Sequence, residues 1–222
     1  MRLSLVGMSG SGKSFWSGKL SRSGFRRICC DDLIAVRLGN EVGKKHGSIA
    51  AVGMWMGFPF EPHYREHEAA YLACEMEVMA QIVGDFAKVD DKPEEAVVVD
   101  TTGSVIYTGE GILSKLRECT IVVHLSTPLE IQQMKLRAYQ KTPRPILWHD
   151  MFSKKPGETN EQALALCYPQ LLASRERQYE KLAHLTISYY KHRKAGFGVE
   201  ELLREARIAL LASHDRQGLD GR

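Results

Sequence analysis

Gly7-Met8-Ser9-Gly10-Ser11-Gly12-Lys13-Ser14 decides the fold. The octapeptide fits G-x-x-x-x-G-K-[ST] at every fixed position. Glycine at these places lets the backbone curl until successive N–H groups point inward, toward the oxygens of an anion. Residues 2–6 alternate and then stop at glycine, which reads as a short strand, and 12–20 read as a helix. The positive end of that helix would meet the same anion. Lysine and a hydroxyl residue in the last two places suit a nucleoside triphosphate: Lys13 reaches the β- and γ-phosphates, and the Ser14 hydroxyl ligates Mg²⁺.

Outward from the loop, strand and helix alternate. Phe25–Cys30 reads as a second strand, followed by Asp31, Asp32 and a short helical pattern. Residues 62–84 read as a helix with Ala69, Leu72, Met76, Met79 and Ile82 on its apolar side. Ala96–Val99 and Thr120–His124 are continuous apolar runs, the mark of strands buried on both faces. A helix ends near Leu113–Leu116, and others cover Pro128–Tyr139, 161–183 and Val199–Ala212, with a last strand at Leu185–Tyr189. Asp90–Glu95 reads as a charged loop, and 39–62 shows no period. The order implies an α/β, three-layer P-loop NTPase fold with a five-stranded parallel sheet. One domain spans 1–213. Three prolines, a glycine and several charges make 141–160 a loop or lid, and the polar tail 214–222 is expected to fray.

The 222 residues suit a single domain with a core of useful size. Apolar residues at 44% and charged residues at 26% match an ordinary soluble protein, and a net charge of +3 is too small to argue for nucleic acid. No run of 18 apolar residues suggests a membrane span, and no signal-peptide pattern opens the chain. The five cysteines have neither metal-ligand spacing nor an even disulfide count, so a reducing cytoplasm is the expected compartment.

Three carboxylates stand at strand ends, where a doubly wound sheet places its ligands. Asp100 closes the run Val97-Val98-Val99, the position from which a carboxylate faces Mg²⁺ through water. Asp31 and Asp32 follow the second strand; either could place a substrate hydroxyl or accept its proton, and either could instead cap the next helix.

With these parts in order, the chain resembles shikimate kinase and its relatives among the small P-loop kinases, over about 2–213. The Asp pair is similar to the family's acidic substrate motif. Asp31 fits the substrate-contacting carboxylate best by its spacing to Ile34, although the motif's first acidic position falls on Cys29. Tyr64-Arg65-Glu66-His67-Glu68 resembles the Phe-Arg-x-x-Glu segment, which implies that Arg65 grips a substrate carboxylate. Arg144-Pro145-Ile146 resembles the lid's Arg-Pro-Leu, whose Arg contacts the transferring phosphoryl group, and Arg137 stands where the family packs an Arg on adenine. Leu171–Arg175, with Tyr179, resembles the segment that carries the second substrate Arg.

Two stretches depart from the family. Its Gly-Gly-Gly turn after strand three is here Asp100-Thr101-Thr102-Gly103-Ser104, where only Gly103 could repeat the close approach to substrate. Gly47–Pro62, with Trp55, Phe58 and Phe60, has no counterpart, and its aromatics are more often core than pocket. The expectation is ATP-dependent phosphorylation of a hydroxyl on a small metabolite, a shikimate-like acid leading. The nucleotide lies against Gly7, Ser9, Gly10, Ser11, Gly12, Lys13, Ser14 and Arg137, and Mg²⁺ against Ser14 and Asp100. Lys13, Asp31, Asp32 and Arg144 are the catalytic candidates, and Asp31, Arg65, Gly103 and Arg175 bind the acceptor. The rival is a nucleotide-binding regulator that has lost acceptor turnover.

Overall fold

In the computed structural model, residues 1–40, 42, 48–88 and 95–217 are described. The expected charged loop at Asp90–Glu95 lies, but for Glu95, outside them, as do Gly47 and residues 218–222. Five parallel strands form one sheet in the order β2-β3-β1-β4-β5: β1 (Arg2–Val6), β2 (Arg26–Cys29), β3 (Val97–Asp100), β4 (Ile121–Leu125) and β5 (Leu185–Ile187). The continuous apolar runs take the central places. Every residue of β3 and β4 is buried, as a strand covered on both faces must be, whereas Arg26 and Arg27 of the edge strand β2 are exposed.

Among the described residues eight helices flank the sheet: α1 (Lys13–Arg22), α2 (Cys30–Arg37), α3 (Ile49–Met56), α4 (Tyr64–Ala87), α5 (Glu110–Cys119), α6 (Leu129–Lys141), α7 (Asn160–Leu182) and α8 (Val199–Gln217). They divide the core in two. Trp16, Leu20, Leu202 and Ala206 pack with one face of the sheet, and the larger cluster under α2, α4 and α7 covers the other. The three-layer expectation is met.

Four details correct the sequence reading. Asp31 and Asp32 lie in the first turn of α2 rather than at the end of a strand. The buried stripe of α4 runs through Tyr64, Glu68, Tyr71, Glu75, Val78 and Ile82, while Ala69 and Met76 face outward. Tertiary contact with 146–149 and Ser104 turns this helix away from its most apolar face. α8 continues to Gln217, so the helix runs past His214. Finally, the aperiodic stretch contains α3, capped by the Ser48 hydroxyl, which accepts from Ala51 N at 3.2 Å. Its neighbours are core rather than pocket: Phe58 stacks on Phe60 and meets Tyr139 edge-on, and Trp55 stacks on His67.

Candidate active site

The loop between β1 and α1 is held in a form that only glycine accepts easily. Gly7, Gly10 and Gly12 have φ of 139°, 72° and 114°, and a Cβ at Gly7 would sit 2.7 Å from the Leu125 carbonyl oxygen. α1 has no side-chain cap and no acidic residue in its first turn, so its N-terminal N–H groups are left for another acceptor. Ser11 Oγ is buried inside the loop without a hydrogen-bond partner. Lys13 is buried too, and its Nζ donates to the carbonyls of Gly7 at 2.7 Å and Met8 at 3.0 Å. Burial pulls its pKa down, against the pull of Asp31 and Asp100. Orphan donors, a buried ammonium and an uncapped helix end fit a phosphate chain.

β3 brings Asp100 beside this loop. Its Oδ2 accepts from Ser17 Oγ at 2.9 Å and from Arg27 at 2.6 Å. Ser17 Oγ also lies 3.2 Å from the Ser14 carbonyl oxygen, so α1 links the two candidate metal groups. Ser14 itself is exposed at the start of the helix. An exposed hydroxyl and a nearby carboxylate suit Mg²⁺, which keeps several waters and takes few protein ligands.

α2 holds Asp31 over the same crevice. Burial raises its pKa to about 6; Asp100 and Asp32 add to the rise, and Lys13 and Arg27 oppose it. Asp32 points into solvent on the same turn. Behind Asp31, α4 places Glu75, which is fully buried. Glu75 accepts from the Ser104 hydroxyl at 2.7 Å and from the Thr102 hydroxyl, yet burial dominates and pushes its pKa up to about 7. Gly103 lies between these hydroxyls, and a Cβ there would be 3.3 Å from Ser9 N. Its carbonyl accepts from Tyr179 and from Arg175 at 3.3 Å.

Arg175 on α7 is a buried guanidinium with no carboxylate paired to it among the described residues. It donates to the Leu147 carbonyl at 2.6 Å, lies 5.3 Å over the Tyr107 ring, and leaves Nε without a partner. The structure thus brings together Gly7–Ser14, Asp31, Asp100, Gly103 and Arg175. It does not bring Arg65 there: that side chain is 66% exposed and pairs with Asp150 at 3.0 Å. The buried members of the same helical segment are Tyr64 and Glu68: Glu68 accepts from His149 N at 2.9 Å and from Trp148 N, while Tyr64 Oη donates to the Ile146 carbonyl at 2.6 Å. Residues 141–160 are therefore anchored at their centre, with Ile146, Leu147 and Trp148 buried. Arg144 and Arg137 are exposed.

Solved structures of shikimate kinases share this architecture. The Acinetobacter baumannii protein, in complex with shikimate, matches with a TM-score of 0.55 at 20% identity, covering 96% of this chain and 93% of that one. This is the shikimate kinase fold. The Bacteroides thetaiotaomicron shikimate kinase matches at 0.52 and 15%, over 98% of both chains, and that of Aquifex aeolicus at 0.50 and 19%, over 100% of both. No protein-family model and no curated protein matches the sequence. At these identities the likeness establishes a P-loop kinase type of fold. No helix among the described residues is long and apolar enough to cross a membrane.

Glu75, Ser17, Arg27 and Lys135 were not singled out from the sequence. For Glu75 a signal existed. It lies seven residues after Glu68, on the stripe shared by Tyr64, Tyr71 and Val78, and a carboxylate on a buried stripe calls for a reason.

Proposed function

We propose that the chain is an ATP-dependent kinase that moves the γ-phosphoryl group to a hydroxyl of a small metabolite, with a shikimate-like acid the leading acceptor. What carries the proposal is one crevice in which Asp31 and Arg175 both act on the charge of Lys13 beside the Gly7–Ser14 loop. An ammonium for phosphate, a carboxylate for a hydroxyl and a free guanidinium N–H for an acceptor oxygen are the parts phosphoryl transfer uses.

In this scheme the loop N–H groups hold the phosphates, and Lys13 exchanges the Gly7 and Met8 carbonyls for β- and γ-phosphate oxygens. Ser14 and, through water, Asp100 would hold Mg²⁺, which would supply positive charge against that of the phosphates. Asp31 places the acceptor hydroxyl and takes its proton as the new O–P bond forms and the bond to the β,γ-bridging oxygen breaks. With a pKa raised to about 6, Asp31 is ionised at neutral pH and still a better base than an ordinary carboxylate. Asp32, one residue on, supports its negative field. Arg175, beside Gly103, offers Nε to an acceptor carboxylate. The lid residue Arg144 swings to the γ-phosphate and Arg137 to the adenine. Arg65 would have to leave Asp150 to reach the acceptor. The five free thiols suit a cytoplasmic setting.

One observation favours the second reading, a nucleotide-binding regulator without turnover: Tyr179 and Arg175 already occupy the Gly103 carbonyl. ADP release, measured with shikimate and with a panel of polyols, sugar acids and nucleosides, decides between the two. Acceptor-stimulated ADP release that Lys13→Ala abolishes supports the kinase. ATP binding with no acceptor able to stimulate turnover supports the regulator.

A further inference from the structure

The phosphate site has a second ammonium that its motif does not contain. Lys135 of α6 is half-buried, and its stem crosses the tip of the loop: a Cβ at Gly10 would lie 3.8 Å from Lys135 Cε. Its Nζ is 3.3 Å from Thr127 Oγ1, a neutral partner. Charged groups from four other segments act on it. Lys13 lies on α1, Glu176 on α7, Arg144 in the segment after α6, and Arg193 in the loop after β5. Burial first, then Lys13, Arg193 and Arg144, lower its pKa to about 7, while Glu176 pulls the other way. Three cations and one carboxylate leave a net positive surrounding that disfavours a charge on Lys135 until a polyanion joins them. The tip of the loop is where a bound triphosphate would end.

We propose that Lys135 is a second phosphate-binding cation, which reaches over the tip of the Gly7–Ser14 loop to the terminal phosphate of the bound nucleotide. This rests on the nucleotide reading of the loop. Free Lys135 is largely neutral above pH 7. The triphosphate charge raises its pKa, so binding draws in a proton.

Isothermal calorimetry with Mg-ATP, Mg-ADP and inorganic tripolyphosphate tests this, using wild type, Lys13→Ala, Lys135→Met and Lys135→Arg, each checked for folding by circular dichroism. Methionine keeps the apolar stem over Gly10 and removes the charge. A lost charge-assisted contact should weaken ATP and tripolyphosphate binding on the order of tenfold to a hundredfold, and ADP less. Lys135→Arg should restore affinity. Titration in buffers of different ionisation enthalpy at pH 7.5 should show wild type taking up about half a proton or more beyond Lys135→Arg, which is charged throughout. If Lys135→Met binds ATP like wild type while Lys13→Ala does not, this inference falls and the nucleotide reading stands. Equal proton uptake by wild type and Lys135→Arg overturns it as well, including the case where Lys135→Met does not fold. No binding of ATP or tripolyphosphate by folded wild type overturns both.

Discussion

Glu75→Gln should stabilise the protein at neutral and alkaline pH and lose that advantage in acid. Glu75 is fully buried, and its pKa moves from 4.5 to about 7 on folding. The folded state therefore binds this proton more tightly than the unfolded state. Between pH 4.5 and 7 the unfolded chain has fewer protons bound, so wild-type stability falls as pH rises through that window. Ionised Glu75 thus costs about 3 kcal/mol above pH 7, at 1.36 kcal/mol per pK unit. Glutamine has the same shape and no charge. Its Oε1 can accept one of the Thr102 and Ser104 hydroxyls, and its Nε2 can donate to the other once that hydroxyl rotates. For a chain of this length the difference corresponds to roughly 6–12 °C in Tm. Thermal melts of both proteins at pH 5 and pH 8 would show it: a small gap at pH 5, the variant well ahead at pH 8. A gap that stays constant with pH, or that grows toward acid, refutes burial as the origin of the shift.

Three further changes probe the crevice and its cover. Asp31→Asn should reduce kcat/KM about 10²- to 10⁴-fold and abolish an acid limb near pH 6, below which the wild-type carboxylate is protonated; a surviving limb in the pH profile would assign it to another group. Arg144→Ala should lower kcat roughly 10³-fold with much less change in KM for ATP, and equal loss in both would count against contact with the transferring phosphoryl group. Gly53→Ala puts a Cβ 2.7 Å from the Pro143 carbonyl oxygen and 2.8 Å from Arg144 Cα. It should cost about 1–3 kcal/mol in denaturant unfolding and depress kcat with ATP affinity intact, and an unchanged kcat would mean that α3 does not position Arg144.

The sheet and the phosphate loop were legible because their causes are local. Val97–Val99 can be apolar throughout only if both faces are covered, and Gly7–Ser14 concentrates its chemistry in eight consecutive residues. α3 was illegible because its eight residues follow no polar–apolar period. Its ends are set by Ser48 and Gly57, and its inner face by the backbone of Pro143 and Arg144, 90 residues away. Ser17, Arg27 and Lys135 are ordinary choices for a helix or an edge strand. Only the assembled sheet brings Arg27 to Asp100, and only the packing of α6 brings Lys135 to Gly10.

The turn after β3, where the family's glycine triplet is missing, makes sense only together with the inner face of α4. Relative to the family's glycine triplet, Thr102 and Ser104 introduce two hydroxyls into a buried turn, and left unpaired each would be costly. Neither is unpaired: both meet Glu75, a carboxylate standing on the inner stripe of a different helix. Two hydroxyls and a buried acid, 27 to 29 residues apart, satisfy one another. Satisfied in this way, the turn carries none of the penalty of unpaired buried hydroxyls. Arg175 is met less completely, since Gly103 and Leu147 take two of its five N–H groups and Nε is buried without a hydrogen-bond partner. Because the turn that replaces the glycine triplet is satisfied without a ligand, the acceptor, shikimate or another small acid, is decided by the ADP-release panel and not by the stability of this turn.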